Sequence, residues 1–161
     1  MNNPPLVGVV MGSSSDRQVM EECTNTLEKL AIPFEITVSS AHRSPEQTRN
    51  YAIQAQERGI EVIVAGAGWA AHLAGALASH TFLPIIGVPI DSSPLQGMDA
   101  LLSTVQMPPG VPVATMAIGR GGAVNAAVFA AQILALKYPD IAKRLKKYRQ
   151  NLNPASKGAD D

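Results

Sequence analysis

Short apolar runs of strand length, each followed by a stretch with helical spacing, limit the folds open to this chain more than any other feature. The first run, Leu6 to Met11, is unbroken and stops at Gly12, as a strand buried on both faces should. Ser15-Asp16-Arg17-Gln18 then fits a helix-opening capping box, and Val19, Cys23, Leu27 and Leu30 follow at helical spacing. Phe34 to Ser40 reads as a second strand. Ser44-Pro45-Glu46-Gln47 reads as a second helix start, with a Ser cap, Pro at the first helical position and Gln at the capping-box position, and that helix should end near Gly59. Glu61 to Ala65, Pro84 to Val88 and Pro112 to Ala117 give three more strands. Ala70 to Ser79 and Ala123 to Leu136 give Ala-rich helices, and a looser segment contains Asp99 to Val105.

Five strands alternating with helices predict an α/β domain built on a parallel, doubly wound sheet. With 161 residues and no internal repeat or linker, residues 1–153 form one domain and 154–161 a flexible tail. A chain of this length buries roughly 68–70% of its unfolded surface, so no staples are needed. The last helix carries an apolar stripe, Ile141, Leu145, Tyr148 and Leu152, expected to pack on a neighbouring subunit. Lys143, Arg144, Lys146, Lys147 and Arg149 occupy its other faces and read as a solvated surface rather than an RNA-binding one.

Composition narrows the partners. Hydrophobic residues at 46% against 16% charged exclude intrinsic disorder and leave little charge to cover the surface, which points to contact with further copies of the chain. Thirteen basic and thirteen acidic residues cancel, so nothing draws the protein to nucleic acid or to an anionic membrane. One cysteine, Cys23, and an N-terminus without a basic-then-apolar leader predict a reduced, cytoplasmic setting. Val62 to Ser79 holds His72 as its only ionisable group, but its Gly and Ala content gives weak insertion energy. We read it as strand, loop and helix rather than a membrane span.

In open parallel sheets, ligands bind beyond the carboxyl ends of the strands where the strand order reverses. For the common order 2-1-3-4-5 that point lies between strands one and three, which singles out three loops. Gly12-Ser13-Ser14-Ser15-Asp16 offers backbone N–H groups, hydroxyls and a helix N-terminus suited to phosphate, with Asp16 able to accept from sugar hydroxyls; simple capping explains the same residues. Ser39-Ser40-Ala41-His42-Arg43-Ser44 supplies a proton carrier in His42 and a planar fork for phosphate or carboxylate in Arg43, or else is a surface loop with incidental charge. Gly66-Ala67-Gly68-Trp69-Ala70-Ala71 nominally fits the dinucleotide fingerprint, with Asp91 about twenty residues on. It sits on the third strand rather than the first, however, and its glycines more simply let a ligand approach the backbone. His72 and His80 read here as structural. No ligand spacing for a metal, no P-loop and no G-x-S-x-G occurs.

Several of these segments, in order and with similar spacing from about Leu6 to Leu136, resemble one family. They are Met11-Gly12-Ser13-Ser14-Ser15-Asp16, Ser40-Ala41-His42-Arg43-Ser44-Pro45, Ala65-Gly66-Ala67-Gly68 with Ala70-Ala71-His72-Leu73, Val105-Gln106-Met107-Pro108, Ala117-Ile118-Gly119 and Asn125-Ala126-Ala127. They are similar to the signature segments of the class I N5-carboxyaminoimidazole ribonucleotide mutases of bacterial purine synthesis. The resemblance implies a flavodoxin-like three-layer α/β/α sandwich with an extra C-terminal helix, a homo-octamer, and no metal or organic cofactor. It implies an isomerase that moves a carboxylate from the exocyclic nitrogen of a ribonucleotide to ring carbon 4, with His42 as general acid and base. By the same carry-over Ser13 and Arg43 bind phosphate, Asp16 binds the ribose hydroxyls, and Ser15, Ser40, Gly68 and His72 line the site.

Three positions depart from the family pattern: Arg17 replaces Trp, Trp69 replaces Gly, and Ala74 replaces Pro. Arg17 is expected to add positive charge near the phosphate, and Trp69 to narrow the site or redirect its loop. The alternatives are direct carboxylation of aminoimidazole ribonucleotide by carbon dioxide, a non-catalytic nucleotide-binding module using Gly66 to Ala71, and an assembly scaffold whose pocket has decayed because of Trp69.

Overall fold

The structure, a computed structural model, describes residues 4–152. The segment 154–161, expected to be a tail, lies outside the described residues. Five parallel strands run in the order β2-β1-β3-β4-β5: β1 (Val7–Met11), β2 (Phe34–Val38), β3 (Val62–Gly68), β4 (Ile85–Ile90) and β5 (Ala114–Thr115). β1 and β4 are buried along their whole length, which is why their sequences are continuously apolar instead of alternating.

Among the described residues six α-helices cover the sheet: α1 (Arg17–Lys29), α2 (Pro45–Gln54), α3 (Leu73–Ala78), α4 (Met98–Val105), α5 (Arg120–Ala135) and α6 (Pro139–Asn151). On one face Val7, Val9, Val62, Val64, Ile86 and Val88 pack against Met20, Cys23 and Leu27 of α1 and the alanines of α5. On the other face Val10, Ile63, Ala65 and Ile85 meet Tyr51 and Ala52 of α2 and Leu73, Ala74 and Leu77 of α3. The result is the expected three-layer sandwich. The small stripe Ala123, Ala126, Ala127, Ala130 and Ala131 is fully buried and lets α5 lie close to both α1 and the sheet.

Several local expectations change. α1 is not capped by a Ser15–Gln18 box. Ser13 instead caps a 3-10 turn, Ser14–Asp16: its Oγ accepts from Ser15 N at 3.3 Å, and Asp16 Oδ2 accepts from Ser13 N at 2.9 Å. Ser44 starts α2 without a side-chain cap; Gln47 reaches Val38 O, and Thr48 Oγ1 bonds Ser39 Oγ at 2.8 Å. The helical path beyond α2 does end at Gly59, whose φ of 95° suits glycine. Asp99 to Val105 is helical, because Asp99 Oδ1 accepts from Ala100 N and Ser93 Oγ just after Gly97 turns the chain. β5 shrinks to two residues: it is an edge strand, and Pro112 has no N–H to offer the ladder.

α6 also differs. Ile141 and Leu145, expected against a neighbouring subunit, belong to this chain's own core, and Arg144 Nε donates to Leu30 O at 2.6 Å. Leu152 alone of that stripe is largely exposed, at 64%. Among the described residues no helix is long and apolar enough to cross a membrane.

Candidate active site

Strand order reverses between β1 and β3, and a cleft of about 550 Å³ opens there at their carboxyl ends. All three loops singled out from the sequence line it. Gly12, Ser13, Ser15 and Asp16 come from the β1 end, Ser40, Ala41, His42 and Arg43 from the β2 end, and Ala67 through Ala70, His72 and Leu73 from the β3 end. Every candidate residue is therefore in one place: Ser13, Ser15, Asp16, Ser40, His42, Arg43, Gly68 and His72. His80 is not among them; it lines a second, more apolar cleft near Pro84 and Pro112, toward the other end of the strands. Arg17 is exposed and does not line the first cleft.

His42 and His72 meet across the opening. His42 Nε2 lies 2.7 Å from His72 Nδ1, with the rings edge to face at 77°. One of the two nitrogens must donate and the other accept, so the pair in this contact holds at most one positive charge. Two tight turns place His72 there: Ala71 N donates to Trp69 O at 2.9 Å and His72 N to Ala70 O at 2.7 Å, immediately before α3. On the His42 loop, Ser44 N donates to Ser40 O, and Ser40 Oγ accepts from Arg43 N at 3.2 Å.

Arg43 and Asp16 set the electrostatics. The Arg43 guanidinium donates to neutral oxygens, Ser40 Oγ at 3.4 Å and Gly12 O at 3.5 Å. Both bonds are long, so little would be lost on turning toward an anion. Asp16 is buried, at 4% exposure, and burial raises its carboxyl above the usual range despite the opposing hydrogen bond from Ser13 N and the Arg43 charge. Only its Oδ2 is taken by Ser13 N, so capping the turn and facing the cleft are compatible roles.

The glycines of the third loop do not form a dinucleotide turn. Gly66 and Gly68 lie inside β3, and α3 starts only at Leu73, so no helix N-terminus stands where a pyrophosphate would sit. A Cβ on Gly66 would strike Met20, and one on Gly68 would strike Ser92 Oγ. Packing against neighbours therefore explains both. Asp91 sits by Gly97 and Gly119 and does not line the cleft.

Sequence reasoning passed over Ser92, which reaches the cleft from just beyond β4. The available signal was a polar Asp91-Ser92-Ser93 run directly after a buried strand. Trp69 is the unusual wall residue: its φ is 55°, and it is 58% exposed. A side chain in the left-handed region costs roughly 1–2 kcal/mol, which is why glycine ordinarily takes such positions. Among the described residues, no three His, Cys, Asp or Glu side chains converge to hold a metal ion.

Residues 6–155 match the model of the family described as AIR carboxylase. The chain is 57% identical over 148 residues to the N5-carboxyaminoimidazole ribonucleotide mutase of Pyrococcus abyssi, covering 92% of this chain and 84% of that protein. It is 55% identical over 147 residues to the Bacillus subtilis mutase of the same name, covering 91% of each. A crystal structure of Treponema denticola PurE superposes with a TM-score of 0.80 at 28% identity, covering 91% of this chain and 90% of that one.

Proposed function

The chain belongs to the AIR carboxylase family, and we propose that within it the chain acts as an N5-carboxyaminoimidazole ribonucleotide mutase of purine biosynthesis. The observation that carries the mechanism is the His42–His72 pair in a cleft that Ser13, Ser15 and Arg43 also line. A charged phosphate suits the hydroxyls and the guanidinium, and a proton transfer suits the imidazoles.

Phosphate binds to Ser13 and the Arg43 fork, and the ribose hydroxyls to Asp16. Ser15 and Ser40 line the phosphate side; Gly68 and His72 line the carboxylate side. His42, protonated, gives its proton to the exocyclic nitrogen as the nitrogen–carboxylate bond breaks. The bonding pair stays on nitrogen, and carbon dioxide is released beside an uncharged amine. Ring carbon 4 then attacks that carbon dioxide, placing positive charge on the ring system. Neutral His42 removes the carbon 4 proton, restoring aromaticity and its own starting state. One proton leaves His42 and one returns, so no external acid or base is consumed. His72, at 2.7 Å, takes the other end of the hydrogen bond and orients the ring.

The cytoplasmic setting and the octamer are part of this proposal. Support for assembly comes from the outer face of α4, where Met98, Leu102 and Val105 are 52%, 53% and 47% exposed, with Leu95 beside them at 65%.

The test supplies two mixtures to the purified chain: N5-carboxyaminoimidazole ribonucleotide with bicarbonate excluded, or aminoimidazole ribonucleotide with bicarbonate. Product at carbon 4 should form readily in the first. Product in the second alone would establish a direct carboxylase, and no product in either would leave a binding protein.

A further inference from the structure

Among the described residues four hydroxyls line the cleft, and three of them are engaged with their own loops. Ser15 Oγ donates to Ser13 Oγ at 2.9 Å, and Ser13 Oγ also accepts from Ser15 N. Ser40 Oγ accepts from Arg43 N at 3.2 Å and from Arg43 Nε at 3.4 Å. The fourth, Ser92 Oγ, makes no hydrogen bond among the described residues.

Gly68 makes the place where this hydroxyl stands. β3 and β4 pair Gly68 with Ile90 as they end, and Ser92 follows two residues later. A Cβ on Gly68 would strike Ser92 Oγ and would lie 3.2 Å from Ile90 O, so the bare glycine Cα leaves the space that the hydroxyl occupies. The neighbouring side chains show what it can serve. Ala67, Ala70 and Leu73 reach the cleft from the end of β3 without a polar side-chain atom, and His72 is bonded to His42. Trp69 has an indole N–H, but the family pattern has glycine there, so the family's reaction needs no indole at that position. The ligand carries two anions. Ser13 and the Arg43 fork suit the phosphate, which leaves the carboxylate in need of a donor, and Ser92 is the hydroxyl left to supply one.

We propose that Ser92 is a binding residue for the migrating carboxylate: its hydroxyl donates a hydrogen bond to one carboxylate oxygen, on the exocyclic nitrogen in the substrate and on ring carbon 4 in the product. The inference rests on the mutase reading. Ser92 moves no proton in this scheme. Its hydroxyl fixes the direction in which the carboxylate faces, and Gly68 provides the room for it to do so.

Two ligands that differ only in the carboxylate test it on the full-length chain: 4-carboxy-5-aminoimidazole ribonucleotide and aminoimidazole ribonucleotide, each titrated by calorimetry. A hydrogen bond to a charged group changes affinity by roughly tenfold or more. Ser92→Ala should therefore lower the ratio of the two affinities at least about tenfold, while its affinity for aminoimidazole ribonucleotide changes less than about threefold. Ser92→Cys, close in shape but a weaker donor, should fall between wild type and Ser92→Ala. A purely structural role would weaken both ligands together. An unchanged ratio in Ser92→Ala, or equal losses for the two ligands, would overturn the assignment. Failure of wild type to bind either ribonucleotide would instead overturn the mutase reading beneath it.

Discussion

His42 Nε2 and His72 Nδ1 are 2.7 Å apart although thirty residues separate them in the chain. The contact joins the loop after β2 to the residue before α3 across the β1–β3 crevice, so the topology itself brings the proposed proton carrier to its partner.

Removing the proton carrier should stop chemistry and spare binding. His42→Asn should lower turnover by at least about 10²–10⁴-fold, the usual worth of a general acid–base group. Its affinity for product, read by calorimetry, should change less than about threefold, because little contact area is lost.

If His72 orients His42 through the 2.7 Å contact, its loss should be milder than that of His42. His72→Asn should reduce kcat with little change in KM. Turnover equal to wild type would separate His72 from the proton path.

Arg43→Ala should weaken binding more than it slows the chemical step. A hydrogen bond to a charged group is worth about 1.5–3 kcal/mol, which corresponds to roughly 10–150-fold in affinity. Comparing ribonucleotide with its dephosphorylated nucleoside isolates the contact, since the variant should erase most of the preference for phosphate. Equal losses for both ligands would place the phosphate elsewhere.

Asp16 leaves a signature in stability. Burial raises its carboxyl in the folded state, so between the ordinary value of 3.8 and the raised one the native protein holds a proton that the unfolded chain has lost. Stability from this group therefore falls as pH rises through that window. Asp16→Asn keeps an acceptor for Ser13 N and should flatten that part of the curve of Tm against pH, while weakening ribonucleotide binding. A curve that keeps its slope would move the cause to another carboxyl.

Glu61 should act in the opposite sense. Partial burial works to raise its carboxyl, but hydrogen bonds from Lys137 Nζ and Tyr138 Oη, both at 2.6 Å, outweigh it and hold the group below its usual value. Its stabilisation is present above pH 4.5 and is lost as pH falls through the lowered value. Glu61→Gln should lower Tm at neutral pH and converge with wild type in acid, as differential scanning calorimetry would record.

The strand runs and the three loops that line the cleft were legible in the sequence because buried parallel strands are continuously apolar and the switch point follows from strand order. The capping details were not, since Ser13, Ser15 and Ser44 all satisfy the same pattern and only the path of the chain selects Ser13. α6 misled for a related reason: an apolar stripe shows that Ile141 and Leu145 are covered, not by which surface. Ser92 escaped because nothing local marks it; its place depends on where β4 ends beside Gly68. The contact between His42 and His72 needed three dimensions, as neither loop carries any sign of the other.

The most direct measurement is conversion of N5-carboxyaminoimidazole ribonucleotide by the purified chain, bicarbonate excluded, beside His42→Asn under the same conditions. Conversion by wild type that vanishes in the variant is the predicted result. Near-normal conversion by His42→Asn, or none by a folded wild-type protein, would contradict the account.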